Sequence, residues 1–176
     1  MRGSSFFITS DTHFNHHKLV NAGFRPKDCD KRIVDNLKAV IKPGDVLIHL
    51  GDVTWSSIID PDFVALPCRK ILVKGNHDKK GYFWYTKRGF DFVCETFTLS
   101  FGGKNILFSH KPIDIDYNSF GYDYNIHGHL HNGQHGLQYG CTRRDGKHHL
   151  ISLEDNGYRP ELLDKILAEF RKKESQ

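Results

Sequence analysis

The chain has 176 residues, of which 38% are hydrophobic and 26% charged, and these ordinary values predict one globular domain over residues 1–176. The formal net charge is +4, but part of the excess lies in the terminal run Arg171–Lys173, so the charge does not indicate a nucleic-acid partner. No apolar run approaches the length of a membrane span and no N-terminal signal pattern is present, which favours a cytoplasmic protein without a membrane partner.

Hydrophobic patterns in the first half of the chain predict strands that alternate with helical segments. In chain order, the predicted elements are a strand over residues 5–10, a helix over residues 30–41, a strand over Val46–Leu50, a short helical or irregular piece over residues 55–66 and a strand over Ile71–Val73. Asp30 is predicted as the N-cap of the helix. The polar segment over residues 14–29 is predicted as a long loop, and because long ordered loops are usually functional, we expect it to overhang a site.

The second half of the chain continues this alternation. The predicted elements are an amphipathic helix over residues 81–89, a hairpin of Thr96–Phe101 with Asn105–Ser109, a strand in the YNIH segment, a loop or short hairpin over residues 132–147, a strand over residues 148–154 and a helix over residues 160–172. The aromatic residues of the 81–89 helix are expected to pack on the core rather than to stack on nucleic-acid bases. Strands, helices and hairpins in this order predict a layered α/β protein.

Metal-binding residue types follow five of the predicted strands. They are Asp11 and His13, then Asp52, then Asn76, His77 and Asp78, then His110, and finally His127, His129 and His131 around Gly128. Ligands of α/β sheets bind at the carboxyl ends of strands. One such cluster could be an ordinary polar loop, but five are hard to explain by chance. Hard oxygen ligands combined with imidazoles suit Mn, Fe, Zn, Ni or Mg.

The order and spacing of these residues resemble the signature of the calcineurin-like metallophosphoesterase family. That signature is Asp-x-His, Gly-Asp, Gly-Asn-His-Asp/Glu, a lone His and Gly-His-x-His, and it stands here as DTH, GD, GNHD, His110 and GHLH. The resemblance covers nearly the whole chain and implies an α/β, four-layer fold in which two packed mixed β-sheets are flanked by helices. The ending of the chain is similar to small bacterial and bacteriophage members, and a phage-encoded chain would act in the host cytoplasm.

The resemblance further implies a hydrolase of phosphate esters that uses two divalent metal ions, with Mn, Ni, Zn, Fe and Mg all open as identities. The implied ligands are Asp11, His13 and His131 for one ion, Asn76, His110 and His129 for the other, and Asp52 as a bridge between both. A hydroxide activated by both ions would attack the ester. His77 would stabilise the phosphoryl group or protonate the leaving oxygen, so the implied catalytic residues are His77, Asp52 and Asn76.

The sequence departs from the protein Ser/Thr phosphatase pattern after the bridging aspartate. Those enzymes carry an Asp three residues later, which orients the catalytic histidine, and then an Arg. This chain has Trp55 and Ser56 at these positions. Asp78 is adjacent to His77 but need not face it. The orienting partner of His77 is therefore open, and protein phosphatase activity is disfavoured.

Three residues are weaker candidates for substrate binding. Arg25 and Arg159 could contact phosphate, because a guanidinium matches its oxygens, although Arg159 could equally pair with a carboxylate near the last helix. His16 either approaches the metals or faces solvent. His127 and His49 are expected beside the ligands rather than among them.

The leading hypothesis is a phosphoesterase that acts on a small phosphodiester or phosphomonoester, with a nucleotide as one candidate. A shallow pocket with few cations favours the diester. A nuclease of the same fold is an alternative, but the sequence lacks a nucleic-acid domain and a concentrated basic stripe. A non-catalytic scaffold is the third interpretation, weakened because every ligand position is filled. The sequence does not indicate an oligomeric state.

Overall fold

The computed structural model describes residues 3–114, 121–132 and 146–174. The elements in these ranges are β1 (Phe6–Thr9), α1 (His17–Asn21), α2 (Cys29–Val40), β2 (Val46–His49), α3 (Pro61–Val64), β3 (Arg69–Val73), α4 (Tyr82–Thr86), β4 (Phe92–Cys94), β5 (Thr96–Phe101), β6 (Lys104–Ser109), β7 (Tyr124–His127), β8 (His148–Leu150), β9 (Glu161–Leu162) and α5 (Leu163–Glu174). Most of the loop or hairpin predicted over residues 132–147 lies outside the described residues.

The strands form two mixed sheets, as predicted. The first sheet has the order β4-β3-β2-β1-β9, in which the first four strands are parallel and β9 runs antiparallel to β1. The second sheet has the order β5-β6-β7-β8, in which β5 and β6 are antiparallel and the other pairs are parallel. Parallel strands present their carboxyl ends at one edge of a sheet, so the loops after β1, β2 and β3 lie side by side.

The hydrophobic core has two parts because successive residues of a strand face opposite sides of the sheet. In β1, Phe7 faces the helices and Ile8 faces the second sheet. The first part lies between the first sheet and helices α2, α3 and α4. The second part lies between the two sheets, where α5 contributes Leu163, Ile166, Leu167 and Phe170. The expected α/β architecture of two packed sheets flanked by helices is therefore confirmed.

The glycine pair between β5 and β6 explains the predicted hairpin. Gly102 and Gly103 have φ angles of 60° and 78°, which is the left-handed region at both central positions of the turn. Two-residue hairpin turns of this type match the twist of the flanking strands, and glycine adopts them without steric cost. The hairpin prediction is confirmed, and β6 begins one residue earlier than expected.

Several local predictions were wrong. The segment predicted as a loop over residues 14–29 contains α1, a helix of five residues. The N-cap of α2 is Asp28 rather than Asp30, because the helix begins at Cys29 and Asp30 lies in its first turn. The Asp30 carboxylate accepts a hydrogen bond from the backbone N–H of Asn15. The segment predicted as a final helix begins with β9, because Glu161 and Leu162 pair with β1 before α5 starts. Strand β4 was not predicted.

In the described ranges, no helix has the length and apolarity needed to cross a membrane.

Helix α2 provides a test of the core. Leu37 is fully buried against the first sheet, whereas Val40, three residues later, is 39% exposed. We expect Leu37→Ala to lower the free energy of unfolding by about 2–5 kcal/mol, because it removes buried methyl groups and leaves a cavity. Val40→Ala should change it by less than about 0.5 kcal/mol. Urea unfolding of both variants measures the difference, and equal losses would contradict the placement of this helix.

Candidate metal centre

The loops after β1 and β2 run side by side and are joined by backbone hydrogen bonds. The His13 N–H donates to the Asp52 carbonyl at 2.9 Å, and the Phe14 N–H donates to the Val53 carbonyl at 3.0 Å. The loop after β3 lies against them so closely that a Cβ atom on Gly75 would overlap the Asp52 carboxylate. These contacts explain why residues from three separate strands share one site.

The second sheet reaches the same place through the loops after β6 and β7. The His129 N–H donates to Asp11 Oδ2 at 2.9 Å, which links the two sheets directly. A Cβ atom on Gly128 would collide with the Ser10 hydroxyl, so only glycine permits this approach. The structure therefore brings together all seven predicted metal ligands: Asp11, His13, Asp52, Asn76, His110, His129 and His131.

The backbone at this centre is unusual. Among the described residues, seven non-glycine positions have a positive φ angle, and five of them are predicted ligands: Asp11, His13, Asp52, His129 and His131. Asp, Asn and His tolerate the left-handed region better than other side chains, but each such position still costs free energy. Strained positions that concentrate in one place are typical of functional sites.

The ligand atoms form two groups. Asp11, His13 and His131 make one group and Asp52, His110 and His129 the other, and within each group the atoms that could bind a metal lie within 4.8 Å of one another. Asp52 Oδ2 lies 3.6 Å from His13 Nε2 and 3.5 Å from His110 Nε2, so this oxygen faces both groups. Asn76 Oδ1 lies 2.9 Å from His110 Nε2 and adds an oxygen to the second group.

Unbonded polar atoms show that the centre fits cations. Asp11 Oδ2 accepts hydrogen bonds from the Ser10 hydroxyl and the His129 N–H, whereas Asp11 Oδ1 is buried without a hydrogen-bond partner in the described part of the chain. Asp11 Oδ1 lies 3.9 Å from His13 Nε2 and 3.8 Å from His131 Nε2. A buried carboxylate oxygen without a donor is costly, and a metal ion is the kind of partner that satisfies it.

Neighbouring groups orient two of the imidazoles. His110 Nδ1 lies 2.7 Å from the Leu50 carbonyl, and His131 Nδ1 lies 3.0 Å from Glu154 Oε1. Hydrogen bonds at Nδ1 leave Nε2 of each ring directed into the centre as a lone-pair donor. A fixed tautomer and ring direction of this kind are common for metal-binding histidines.

Burial also controls the charges at the centre. It is the largest cause that lowers the pKa of His129, to about 4, and the pKa of His13 well below its usual value, so both rings are neutral near pH 7. Burial raises the pKa of Asp52 to about 7, as expected for a buried carboxylate with too little positive charge nearby. For Asp11, burial opposes ionisation, but the surrounding His131, His110 and His13 rings outweigh it and lower its pKa.

The side chain of Arg25 is not accessible to a substrate, so the expectation that it contacts phosphate is wrong. Its side chain is buried, with NH2 2.6 Å from Glu154 Oε1 and hydrogen bonds to the carbonyls of Asp11 and Thr12. The guanidinium therefore supports the loop after β1 and holds the carboxylate that orients His131. A buried guanidinium stabilises such an arrangement because each of its N–H donors needs a hydrogen-bond acceptor.

Arg159 is also displaced from its expected role. It lines a separate cavity of about 590 Å³ with Asn36 and Lys165, which does not include any of the predicted ligands. The backbone N–H of Arg159 donates to Asn156 Oδ1 at 3.1 Å, which stabilises the turn before β9. The predicted substrate contact of Arg159 is therefore not met in this structure.

The carboxylate of Asp78 has a structural role, which its hydrogen-bond partners define. Its oxygens accept hydrogen bonds from the backbone N–H groups of Asp52 at 2.7 Å, Val53 at 3.1 Å and Gly75 at 2.8 Å, and from the Tyr85 hydroxyl at 3.2 Å. The buried carboxylate thus fixes the loops after β2 and β3 to each other. It does not hydrogen-bond to the ring of the neighbouring His77.

His77 and His16 line an open cavity of about 300 Å³ above the ligand groups, together with Leu19 and Trp55. The Trp55 ring stacks on His16 with centroids 3.7 Å apart and lies 4.7 Å from the His77 ring. Burial lowers the pKa of His16 to about 4, and it is also the largest cause that lowers the pKa of His77. Trp55 therefore occupies the surroundings of His77, where the protein phosphatase pattern has an aspartate.

His49 and His127 support the loops from behind. His49 Nε2 lies 2.9 Å from the Thr12 hydroxyl, and its Nδ1 accepts from the Gly51 N–H at 3.1 Å. His127 Nδ1 lies 3.0 Å from the Gly128 carbonyl. Neither ring belongs to a ligand group among the described residues. His129 has a positive φ, so the chain from His127 to His129 is not the extended segment that would place both rings side by side.

Glu154 and Asp78 are the residues whose roles were not predicted. Glu154 is the final residue of the last predicted strand and offered a carboxylate at a strand end, the same signal that found the ligands. Asp78 stood inside the GNHD segment, but its backbone partners could not be inferred from the sequence. Both act through residues that are distant along the chain.

Comparison with known proteins identifies relatives of most of the chain. The family model described as calcineurin-like phosphoesterase superfamily domain matches residues 5–149. An uncharacterised protein of Methanocaldococcus jannaschii is 27% identical over 175 residues, which cover 92% of this chain and 88% of the relative. The crystal structure of a protein of unknown function from Aquifex aeolicus is 34% identical, with a TM-score of 0.75, over 93% of this chain and 98% of that one.

Glu154 provides a test of the centre. We expect Glu154→Gln to weaken metal binding by about 10- to 100-fold, because the neutral amide orients His131 and balances Arg25 less well. Competition with a chelating dye during titration with Mn²⁺ or Zn²⁺ measures this change. The matched control is Asp155→Asn, which removes the same charge from an exposed neighbour. Equal affinities in the two variants would show that Glu154 does not support the centre.

Proposed function

The chain belongs to the calcineurin-like phosphoesterase superfamily and is a metal-dependent hydrolase of phosphate esters, and we propose that it cleaves a small, nucleotide-type phosphodiester at a centre of two divalent ions. The observation that carries the proposal is the position of Asp52. One oxygen of this carboxylate lies 3.6 Å from His13 Nε2 in the first ligand group and 3.5 Å from His110 Nε2 in the second. An oxygen shared by two groups is what a bridging ligand requires.

The proposed ligands are Asp11, His13, Asp52 and His131 for one ion and Asp52, Asn76, His110 and His129 for the other. Two divalent ions in such a site neutralise the phosphoryl oxygens and lower the pKa of a bound water, which makes it a nucleophile at neutral pH. The mixed oxygen and nitrogen donors suit Mn, Ni, Zn, Fe or Mg. The neutral amide of Asn76 adds an oxygen without adding a further negative charge beside an anionic substrate.

His77 is proposed as the group that protonates the leaving oxygen or stabilises the phosphoryl group. Its N–H donates to Asp52 Oδ1 at 2.8 Å, which anchors its backbone to the bridging carboxylate, while its side chain lines the cavity. Burial, His110 and Lys79 lower the pKa of His77 in the free protein. An anionic phosphate beside the ring would favour the imidazolium, so substrate binding itself would charge this acid.

The lining of the cavity supports a diester. It comprises His13, His16, Leu19, Asp52, Trp55, Asn76, His77, His129 and His131, and it includes no Arg or Lys among the described residues. A monoester carries a second negative charge that a guanidinium selects for, and Arg25 is engaged with Glu154. The exposed ring of Trp55 at the rim could instead hold an organic substituent of the substrate, such as a base.

The scaffold interpretation is less well supported. A protein that had lost its metals would gain nothing from five strained ligand positions and a buried carboxylate oxygen without a donor. The organisation of residues 1–176 as one domain and a cytoplasmic location are part of the proposal.

The first prediction concerns Asp52. Asp52→Asn should abolish turnover and remove more than one equivalent of metal, because one carboxylate would serve both ions. Elemental analysis of the purified variant, beside the exposed control Asp35→Asn, measures the loss. Retention of two metals with full activity would exclude the bridging role.

The second prediction concerns His77. His77→Ala should keep the metal content and lower kcat by roughly 10²–10⁴-fold, with a smaller loss for nitrophenyl esters, whose leaving group needs little protonation. The control is His17→Ala, an exposed histidine on α1. If His77→Ala instead loses metal, His77 is a ligand and the acid role is wrong.

The third prediction concerns the substrate. With added Mn²⁺, the kcat/KM for bis-nitrophenyl phosphate should at least equal that for nitrophenyl phosphate, because the described lining of the cavity holds no Arg or Lys that would select a dianion. Protein stripped of metal by a chelator is the control and should hydrolyse neither ester. A strong preference for the monoester would make the protein a phosphomonoesterase.

A further inference from the structure

A second cavity opens beside the candidate centre. Its volume is about 270 Å³, and its lining includes Ser56, Lys79, Lys80 and Trp84. It shares Trp55 and His77 with the cavity above the ligand groups, so the two are contiguous. We refer to this second cavity as the side groove. When the phosphate of a substrate lies at the centre, a group attached to one side of that phosphate would extend into the side groove.

The side groove is positively charged. Lys79 and Lys80 are exposed, and neither forms an ion pair with any residue in the described ranges. Two other lysines are paired: Lys31 lies 2.5 Å from Asp35, and Lys104 lies 2.8 Å from Glu174. The described lining of the groove contains no carboxylate. The carboxylate of the nearby Asp78 is buried and accepts hydrogen bonds from backbone N–H groups. Two cations without an ion pair in the described ranges, beside the candidate centre, favour a second anionic group on the substrate.

The side groove is also aromatic. Both tryptophans of the chain, Trp55 and Trp84, line it, and the Trp55 side chain is 45% exposed. Helix α4 was expected to bury its aromatic residues, but only Tyr85 is buried, and Phe83 is 72% exposed. Packing on the core accounts for Tyr85 and partly for Trp84, but not for Phe83 or for the exposed part of Trp55. An exposed ring such as Trp55 beside two lysines is a combination that binds single-stranded nucleic acid, where the ring stacks on a base and the cations contact phosphates.

We propose that the side groove binds the flanking nucleotides of a single-stranded oligonucleotide whose phosphodiester lies at the metal centre. This inference rests on the proposed phosphodiesterase function and specifies its substrate class. Trp55 would stack on a base next to the scissile phosphate, and Lys79 and Lys80 would each contact one of two following phosphates. Stacking requires unpaired bases, so the groove selects a single strand over a duplex. The sequence-based argument against nucleic acid was the lack of a nucleic-acid domain and of a concentrated basic stripe, whereas the side groove needs only two adjacent lysines beside the centre.

Binding tests this directly. Fluorescence anisotropy of labelled thymidine oligonucleotides with phosphorothioate linkages, which resist hydrolysis, measures affinity for the intact, metal-supplemented protein. Affinity should rise from two to eight nucleotides and should exceed that for a duplex of the same length. Tryptophan fluorescence should change on binding, since both tryptophans line the groove. Equal affinity for a mononucleotide and an eight-nucleotide strand would overturn the proposal.

Charge reversal identifies the contacts. In Lys79→Glu/Lys80→Glu, oligonucleotide affinity should fall, and the slope of log affinity against log salt should decrease by about 1.4, because each single-strand phosphate contact contributes about 0.7. The matched control, Lys172→Glu/Lys173→Glu, makes the same change in net charge on α5 and should keep the slope. The same loss in both variants would mean that only total charge matters, and no loss in either would exclude these lysines.

Trp55 separates stacking from charge. Trp55→Ala should weaken oligonucleotide binding by about 5- to 150-fold, the range for losing one base-stacking partner, and Trp55→Phe should restore most of it. No weakening in Trp55→Ala would overturn the stacking role.

The phosphodiesterase proposal and the side-groove proposal fail in different ways. If bis-nitrophenyl phosphate is not hydrolysed, the phosphodiesterase function is wrong, whereas hydrolysis of that ester without any dependence on strand length or on Lys79 and Lys80 refutes only the side groove.

Discussion

The carboxylate of Asp52 faces both ligand groups because the loop that carries it is fixed from three sides. The loop after β1 holds its carbonyl, the His77 N–H holds Oδ1, and the Asp78 carboxylate accepts its backbone N–H. Only Oδ2 then remains to face His13 and His110. The rest of the site depends on this arrangement, since either ligand group without Asp52 would lack the oxygen that connects it to the other.

This arrangement has an energetic cost that other parts of the fold offset. Buried carboxylates and left-handed backbone positions destabilise the folded chain, more so without cations. Hydrogen bonds from the Arg25 guanidinium to the Asp11 carbonyl and Glu154 offset part of it, and the large core between the two sheets offsets more. Strain and buried charge are therefore tolerated at the strand ends because rigid parallel strands hold them. A catalytic centre needs such rigid support, because its groups must already be in position when substrate arrives.

The sequence predicted most of the strands and the polar residues that follow them, because alternating or continuous apolar runs and Gly-containing motifs are local signals. The strand predicted over residues 148–154 is shorter in the structure, where β8 ends at Leu150. It missed β4 and β9, which have three and two residues and show no pattern of their own. It also misplaced Arg25, whose partner Glu154 is 129 residues away, and it could not assign Asp78, whose partners lie on other loops. Contacts of this kind depend on how the sheets assemble. The exposure of α4 was missed for the same reason, because aromatic residues at helical spacing do not reveal which of them the core can accommodate.

The central claim is that two metal ions share Asp52. A crystal of the protein soaked with Mn²⁺ tests it most directly, through the anomalous scattering of the metal. The account predicts two peaks about 3.5–4 Å apart, the usual spacing of a two-metal site, one beside His13 and the other beside His110, with Asp52 Oδ2 between them. A single peak, or two peaks of which only one contacts Asp52, would contradict it.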